Sequence, residues 1–127
     1  MNSQERKERP VALGFLTYFP DAIMETSHHS FLANDKHNPN TPVHWDKSKS
    51  KDNLDSLVRH IIDYQKGERY DDDGLRILTA ISWRAMAFVQ IELEQEKKEV
   101  EQEKKEVFNP DDWEEVDGFY IKSNLQN

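Results

Sequence analysis

Residues 74–93 read GLRILTAISWRAMAFVQIEL. Gly74 opens a helix, and over residues 75–93 apolar side chains fall on nearly every side of it: Ile77, Leu78, Ile81, Trp83, Met86, Phe88, Val89 and Ile91. A helix without a clean polar face belongs at the centre of a bundle or is shared between subunits. This stretch is the expected spine of the molecule. It sets the fold class as all-α: a small helical bundle with a long central third helix, a long functional loop between helices 1 and 2, and an irregular C-terminal segment.

Upstream, residues 52–65 predict the second helix. Leu54, Leu57, Val58, Ile61 and Ile62 repeat at three and four residues and form one apolar stripe expected to face the core. Asp52, Asp55, Arg59 and Asp63 fall on the opposite side, with His60 at the boundary. Ser50 or Asp52 suits the N-cap, Gly67 stops the helix, and residues 68–73 form an acidic turn. Residues 21–33 predict the first helix. Pro20 sits in its first turn, where the missing N–H costs nothing. Ala22, Ile23 and Thr26 point to the core, and Glu25, His28 and His29 lie on polar flanks. Between these helices, residues 34–51 hold three Asn and two Pro without either periodicity and read as a loop. His37, His44 and Trp45 make that loop a candidate for function.

At the two ends the pattern changes. Residues 1–10 read as a flexible tail and lead into an apolar stretch over residues 11–19. Residues 94–100, EQEKKEV, are repeated letter for letter in residues 101–107. Glu94–Lys98 and Glu101–Lys105 are favourable i,i+4 pairs, and only Val100 and Val107 are apolar. The repeat therefore reads as a solvated helical extension, with a partner-binding helix as the alternative. Residues 108–127, with Pro110, Trp113, Phe119 and Tyr120, are expected to pack back on the body as an irregular or short β segment.

The 127 residues fit one domain with a modest core, and with 33% charged against 35% apolar residues the apolar supply is lean. Such a chain often completes its core in an oligomer, so a homo-oligomer is expected. A net charge of -8 argues against extended nucleic acid and against an anionic membrane surface. It leaves room for a single nucleotide held by a divalent metal and a few local cations. No cysteine is present, which removes thiolate and disulfide chemistry. With no signal peptide legible and no run of 18 apolar residues, the expected compartment is the cytoplasm.

Five constellations carry chemistry, each with an ordinary structural alternative. Asp52 and Asp55 project side by side on the second helix, which suits a hard cation such as Mg²⁺ or simply a helix N-terminal turn. Glu25, His28 and His29 sit at i, i+3 and i+4, a spacing for metal ligation or a general base that exposed helices also show. Arg59-His60 offers a bidentate grip on phosphate or an intrahelical pair with Asp55 or Asp63. In the loop, Trp45 supplies a stacking surface, Lys36 a phosphate contact and Asn38 a reader of base edges, unless Trp45 only plugs the loop into the core. Asp71-Asp72-Asp73 is a carboxylate cluster or a solvated turn. Phosphate-binding glycine loops, a nucleophile elbow and a His-Asp dipeptide are all missing.

Taken together, K-H-N-P-x-x-P-x-H-W (Lys36 to Trp45), K-S-x-D (Lys49 to Asp52), D-x-x-x-R-H (Asp55 to His60), D-D-G-L-R (Asp72 to Arg76), A-x-S-W-R-A-x-A (Ala80 to Ala87) and H-H-x-F-x-A-x-D (His28 to Asp35) resemble the N-terminal domain of viral dATP/dGTP diphosphohydrolases. The resemblance covers roughly residues 20–95. It implies a fold akin to all-α NTP pyrophosphatases, and in a virus a place in the host cytoplasm. It also implies hydrolysis of a purine deoxynucleoside triphosphate to monophosphate and pyrophosphate, dependent on Mg²⁺ or Mn²⁺. By the resemblance, Glu25, Asp55 and His60 are catalytic. Glu25, His29, Asp52, Asp55 and Asp72 are metal ligands. Lys36, Asn38, His44, Trp45, Lys49 and Arg59 hold the nucleotide. Residues 11–93 then form a nucleotide-handling domain, 94–107 its charged extension and 108–127 a C-terminal segment. The family usually has histidines in a pattern like L-x-H-x-x-H where this chain has Ile77 and Ala80.

Three functions are compatible with this reading: a metal-dependent nucleotide pyrophosphohydrolase, a degenerate relative that sequesters a nucleotide or contacts another protein, and a structural accessory protein. Convergence of Glu25, Asp52 and Asp55 opposite Trp45 marks the first. Cations and aromatics with scattered carboxylates mark the second.

Overall fold

The computed structural model describes residues 1–49, 53–107 and 110–122. The described residues are mostly helical, in the order α1 (Ser3–Lys7), α2 (Pro20–His37), α3 (Asn53–Gln65) and α4 (Ile77–Val107), followed by strands β1 (Trp113–Val116) and β2 (Phe119–Lys122). The expected all-α class with a long third main helix holds. Two compact units divide the chain, Met1–Ala87 and Phe88–Asn127, and α4 contributes to both. No helix among the described residues is long and apolar enough to cross a membrane.

In the first unit, residues 1–10 contain the short helix α1. Asn2 and Glu5 form a reciprocal capping box at its start. The apolar stretch that follows makes one wide π-type turn, Ala12–Leu16. Pro20 opens α2 as expected, but the helix runs to His37 instead of ending at Ala33. The reason is tertiary. The Asn34 side chain reaches the loop beyond the helix, and the Asn34 backbone carbonyl accepts from Asn38 N at 2.7 Å. Lys36 and His37 in the last turn complement the helix dipole.

Helix α3 ends in a Schellman turn, with Glu68 N donating to Asp63 O (3.1 Å) and Gly67 N to Tyr64 O (3.0 Å). Gly67 takes φ +102° there, a conformation that favours glycine. The turn into α4 is tied by Asp71, whose Oδ1 accepts from the backbone N of Asp73 and of Leu75, both at 2.9 Å.

The core of this unit is small. Ile77 (1% exposed), Ala80 (2%) and Ala87 are its buried apolar side chains among the described residues. Thus the two positions at which the resemblance implies histidines are the innermost apolar positions here. Around them the packing departs from expectation. The apolar stripe of α3 faces outward, with Leu54, Val58, Ile61 and Ile62 exposed, while Asn53 and Ser56 are buried and Leu57, His60, Asp63 and Tyr64 are half-buried. Helix α2 likewise turns Ile23, Thr26, His29, Ser30, Ala33 and Asn34 inward. Ala22 is exposed, and His29 leaves the polar flank assigned to it. Hydrogen bonding explains the orientation: Asn53 is the acceptor for a guanidinium N–H of Arg84 on α4, so the polar face of α3 has partners inside that its apolar stripe lacks.

In the second unit, α4 continues without a break through both copies of the heptad. Gln90, Gln95 and Gln102 each donate to the glutamate four residues on. Strands β1 and β2 then pair antiparallel, Trp113 opposite Lys122 and Val116 opposite Phe119. Asp117 and Gly118 link them with positive φ at both positions, the geometry of a type I′ hairpin for which Asp-Gly is a strong signal.

Candidate functional site

The inward polar faces of α2 and α3 meet the start of α4, and this is where the candidate residues gather. His29 lies 6.3 Å, ring to ring, from Trp83. Trp83 in turn meets Trp45 of the loop edge to face at 5.3 Å, in the range of favourable aromatic pairs. The Lys47 ammonium stands 5.0 Å above the Trp45 ring. Two tryptophans, one imidazole and one cation thus line up from loop to helix.

His29 and His60 also share an electrostatic setting. Burial is the main cause holding the His29 imidazole below its ordinary pKa. The Arg84 guanidinium adds to this, the Asp71 carboxylate opposes it, and His60 contributes a little. His60 is lowered by burial first and by Arg84 next, against Asp71 and Asp63, with Arg59 lowering it slightly. Both rings are therefore neutral at neutral pH. The Nδ1 atoms of His29 and His60 and the Oδ1 of Asn34 are buried without a hydrogen-bond partner in the protein, a costly arrangement that clusters at functional places.

The remaining candidates are spread more widely. Glu25 on α2 and Asp55 on α3 are exposed. Asp72 is exposed in the turn, where its neighbours make the contacts: Asp71 ties the backbone, and Asp73 forms an ion pair with Lys36. That pair raises the Lys36 pKa, chiefly through the hydrogen bond from Lys36 to Asp73. Arg59 donates to Ser56 Oγ at 3.0 Å. Asn38 caps the end of α2, and its carbonyl accepts from the Thr41 hydroxyl. His44 is exposed, with Nδ1 3.1 Å from the Pro42 carbonyl. Lys49 belongs to the 3-10 turn Lys47–Lys49, and its side chain lies outside the described residues, as do Ser50 and Asp52.

Divalent metal is held best by several oxygen ligands or by a His and carboxylate set. Among the described residues, no three of His, Asp or Glu come together in a way that could hold a metal ion. The described residues alone thus do not build a protein-only metal centre.

Asn34, Asn53, Trp83 and Arg84 were not singled out from the sequence as site residues, whereas Asp71 stood in the carboxylate cluster of residues 71–73. Trp83 and Arg84 lie in A-x-S-W-R-A-x-A, inside a helix whose apolar surroundings mark it as core. The motif was the available signal.

A family model described as dATP/dGTP diphosphohydrolase, N-terminal, matches residues 2–103. The chain belongs to the dATP/dGTP diphosphohydrolase N-terminal domain family. The match takes in α1, the inward faces of α2 and α3 and all the residues around His29, His60 and Trp83, and it extends into the second copy of the heptad. No curated protein and no solved structure matches the chain.

Proposed function

We propose that this member of the family hydrolyses a purine deoxynucleoside triphosphate, adding water across the bond between the α- and β-phosphoryl groups to leave a monophosphate and pyrophosphate. The observation that carries the reading is the convergence of His29, His60 and Arg84 beside the Trp45–Trp83 pair. A neutral imidazole is a competent acceptor for the proton of an attacking water. With Nδ1 enclosed in both rings, that exchange runs through Nε2. The Arg84 guanidinium offers fixed positive charge to phosphoryl oxygens as negative charge develops on them. Trp45 offers its face to the base, and Lys36, Asn38, His44, Lys49 and Arg59 are the further groups assigned to the nucleotide.

Glu25 and Asp55 join His60 as the catalytic groups of this reading, and Glu25, His29, Asp52, Asp55 and Asp72 are its metal ligands. With His29 on the metal, His60 is the imidazole that takes the proton. Mg²⁺ or Mn²⁺ belongs to this reading as the companion of the triphosphate, since Mg²⁺ usually binds through one or two carboxylates plus substrate phosphates. Its chemistry is the neutralisation of phosphate charge.

Self-association is part of the same reading. The exposed α3 stripe of Leu54, Val58, Ile61 and Ile62 supports a homo-oligomer in which a second copy covers it.

The test is purified protein with Mg²⁺ or Mn²⁺ against a panel of ribo- and deoxynucleotides, with pyrophosphate and phosphate release read separately. Pyrophosphate from a purine deoxynucleoside triphosphate is the expected result, and phosphate alone would contradict it. A sequestering module is the second reading, favoured by the exposed, scattered positions of Glu25 and Asp55. It gives a nucleotide-dependent rise in melting temperature with no turnover.

A further inference from the structure

The loop over residues 38–46 is exposed apart from Trp45, yet it is fastened to the helices at both ends. At its start, the buried Asn34 side chain donates from Nδ2 to the Thr41 carbonyl (3.1 Å) and the Thr41 hydroxyl (3.3 Å). The same hydroxyl donates to Asn38 O at 2.7 Å. One amide thereby closes the turn that contains Pro39 and Asn40, and Asn40 holds φ +64° within it. At the far end, Trp45 meets Trp83 edge to face at 5.3 Å, and Trp83 is set against His29 from α2.

We infer that Asn34 and Trp83 are positioning residues that clamp the 38–46 loop at two points, so that His44 and Trp45 are presented to the nucleotide in a fixed arrangement beside His29 and His60. Neither has to touch the ligand. Free loops lose conformational entropy on binding, and a loop ordered beforehand avoids that loss. Asn34 suits the task because its amide donates twice from one nitrogen. It is buried, so its geometry is fixed by packing. Trp83 suits it because its two faces and edges serve the loop and α2 together. The inference rests on the nucleotide reading for what the loop presents, though the clamp itself is a property of the free protein.

The experiment is amide hydrogen exchange combined with kinetics on the full chain for Asn34→Ala, Thr41→Val, Trp83→Phe and Trp83→Ala. Thr41 is exposed, and valine removes its hydroxyl at nearly constant shape, so this variant folds even if Asn34→Ala does not. Loss of these hydrogen bonds is expected to speed exchange of the loop amides roughly three- to tenfold, with the amides of α3 unchanged. The KM for the nucleotide is expected to rise by a similar factor while kcat stays within about twofold. Trp83→Ala shows the same pattern and Trp83→Phe, which keeps an aromatic ring, largely restores it. Unchanged loop exchange in both Thr41→Val and Trp83→Ala overturns the clamp, as does a fall in kcat with KM unaltered. If the wild-type protein neither binds nor hydrolyses any nucleotide, the functional reading fails, and the exchange rates still decide the clamp.

Discussion

Replacing Val58 by Asp places a charge at the middle of the outward α3 stripe, and its effect depends on what covers that stripe. Leu54, Val58, Ile61 and Ile62 are 63%, 46%, 48% and 47% exposed. Full burial of such side chains contributes about 1.5–3 kcal/mol each, so half exposure leaves roughly 1 kcal/mol per residue, or about 4 kcal/mol per copy, to be gained from a partner. In a symmetric pair each substitution is felt twice. Val58→Asp forfeits about 1 kcal/mol per copy in apolar burial and adds the larger cost of desolvating a carboxylate. At 1.4 kcal/mol per decade, self-association is expected to weaken at least about a hundredfold. Within one chain the same residue is at the surface, where a substitution moves stability by only about 0.5 kcal/mol. Sedimentation velocity over a range of concentrations, with far-UV circular dichroism as the control, is expected to show an oligomer for the wild type and helical monomers for the variant. A wild type that sediments as a monomer throughout, or a variant that associates as before, refutes the reasoning.

Three further outcomes follow from the first unit. Because His29 and His60 have folded pKa values below their usual one, the unfolded chain binds more protons near and below about pH 6.5. Their contribution to stability is complete above that pH and lost as pH falls, so thermal melts should drop on acidification and drop less in His29→Gln. Ile77→Ala empties the innermost apolar position and should cost about 2–5 kcal/mol in denaturant unfolding. Arg84→Lys should weaken nucleotide binding in calorimetry, since an ammonium does not reproduce the guanidinium that both reaches Asn53 and lies beside the two imidazoles. Unaltered affinity would remove Arg84 from the site.

Much of the architecture was legible because local chemistry decides it. Pro20 starts α2, Gly67 ends α3, and the apolar run from Ile77 makes α4 a helix whatever surrounds it. The facing of α3 was not legible. Periodicity reveals that Leu54, Val58, Ile61 and Ile62 share a side, yet it carries no information on which side meets the same chain. Asn53, buried against Arg84, tips that balance through a hydrogen bond thirty-one residues away in sequence. The last turn of α2 was hidden for a similar reason, since Asn34 reads as a loop residue until Thr41 appears as its partner. Of the candidate site, His29, His60 and Trp45 come together in the structure through Trp83, which the sequence marked as part of the apolar spine, and Arg84, to which it gave no role. Asp117-Gly118 is a hairpin signal that the expectation of an irregular or short β segment over residues 108–127 did not draw on.

The central claim is that a nucleotide binds at the inward faces of α2 and α3 beside Trp45, and the five histidines report on it directly. Histidine side-chain NMR during titration with a non-hydrolysable deoxynucleoside triphosphate and Mg²⁺ is the measurement. The expected result is displacement of the His29, His60 and His44 resonances, with His28 and His37, exposed on α2, left in place. Shifts confined to His28 and His37, or no shift at saturating ligand, would contradict it.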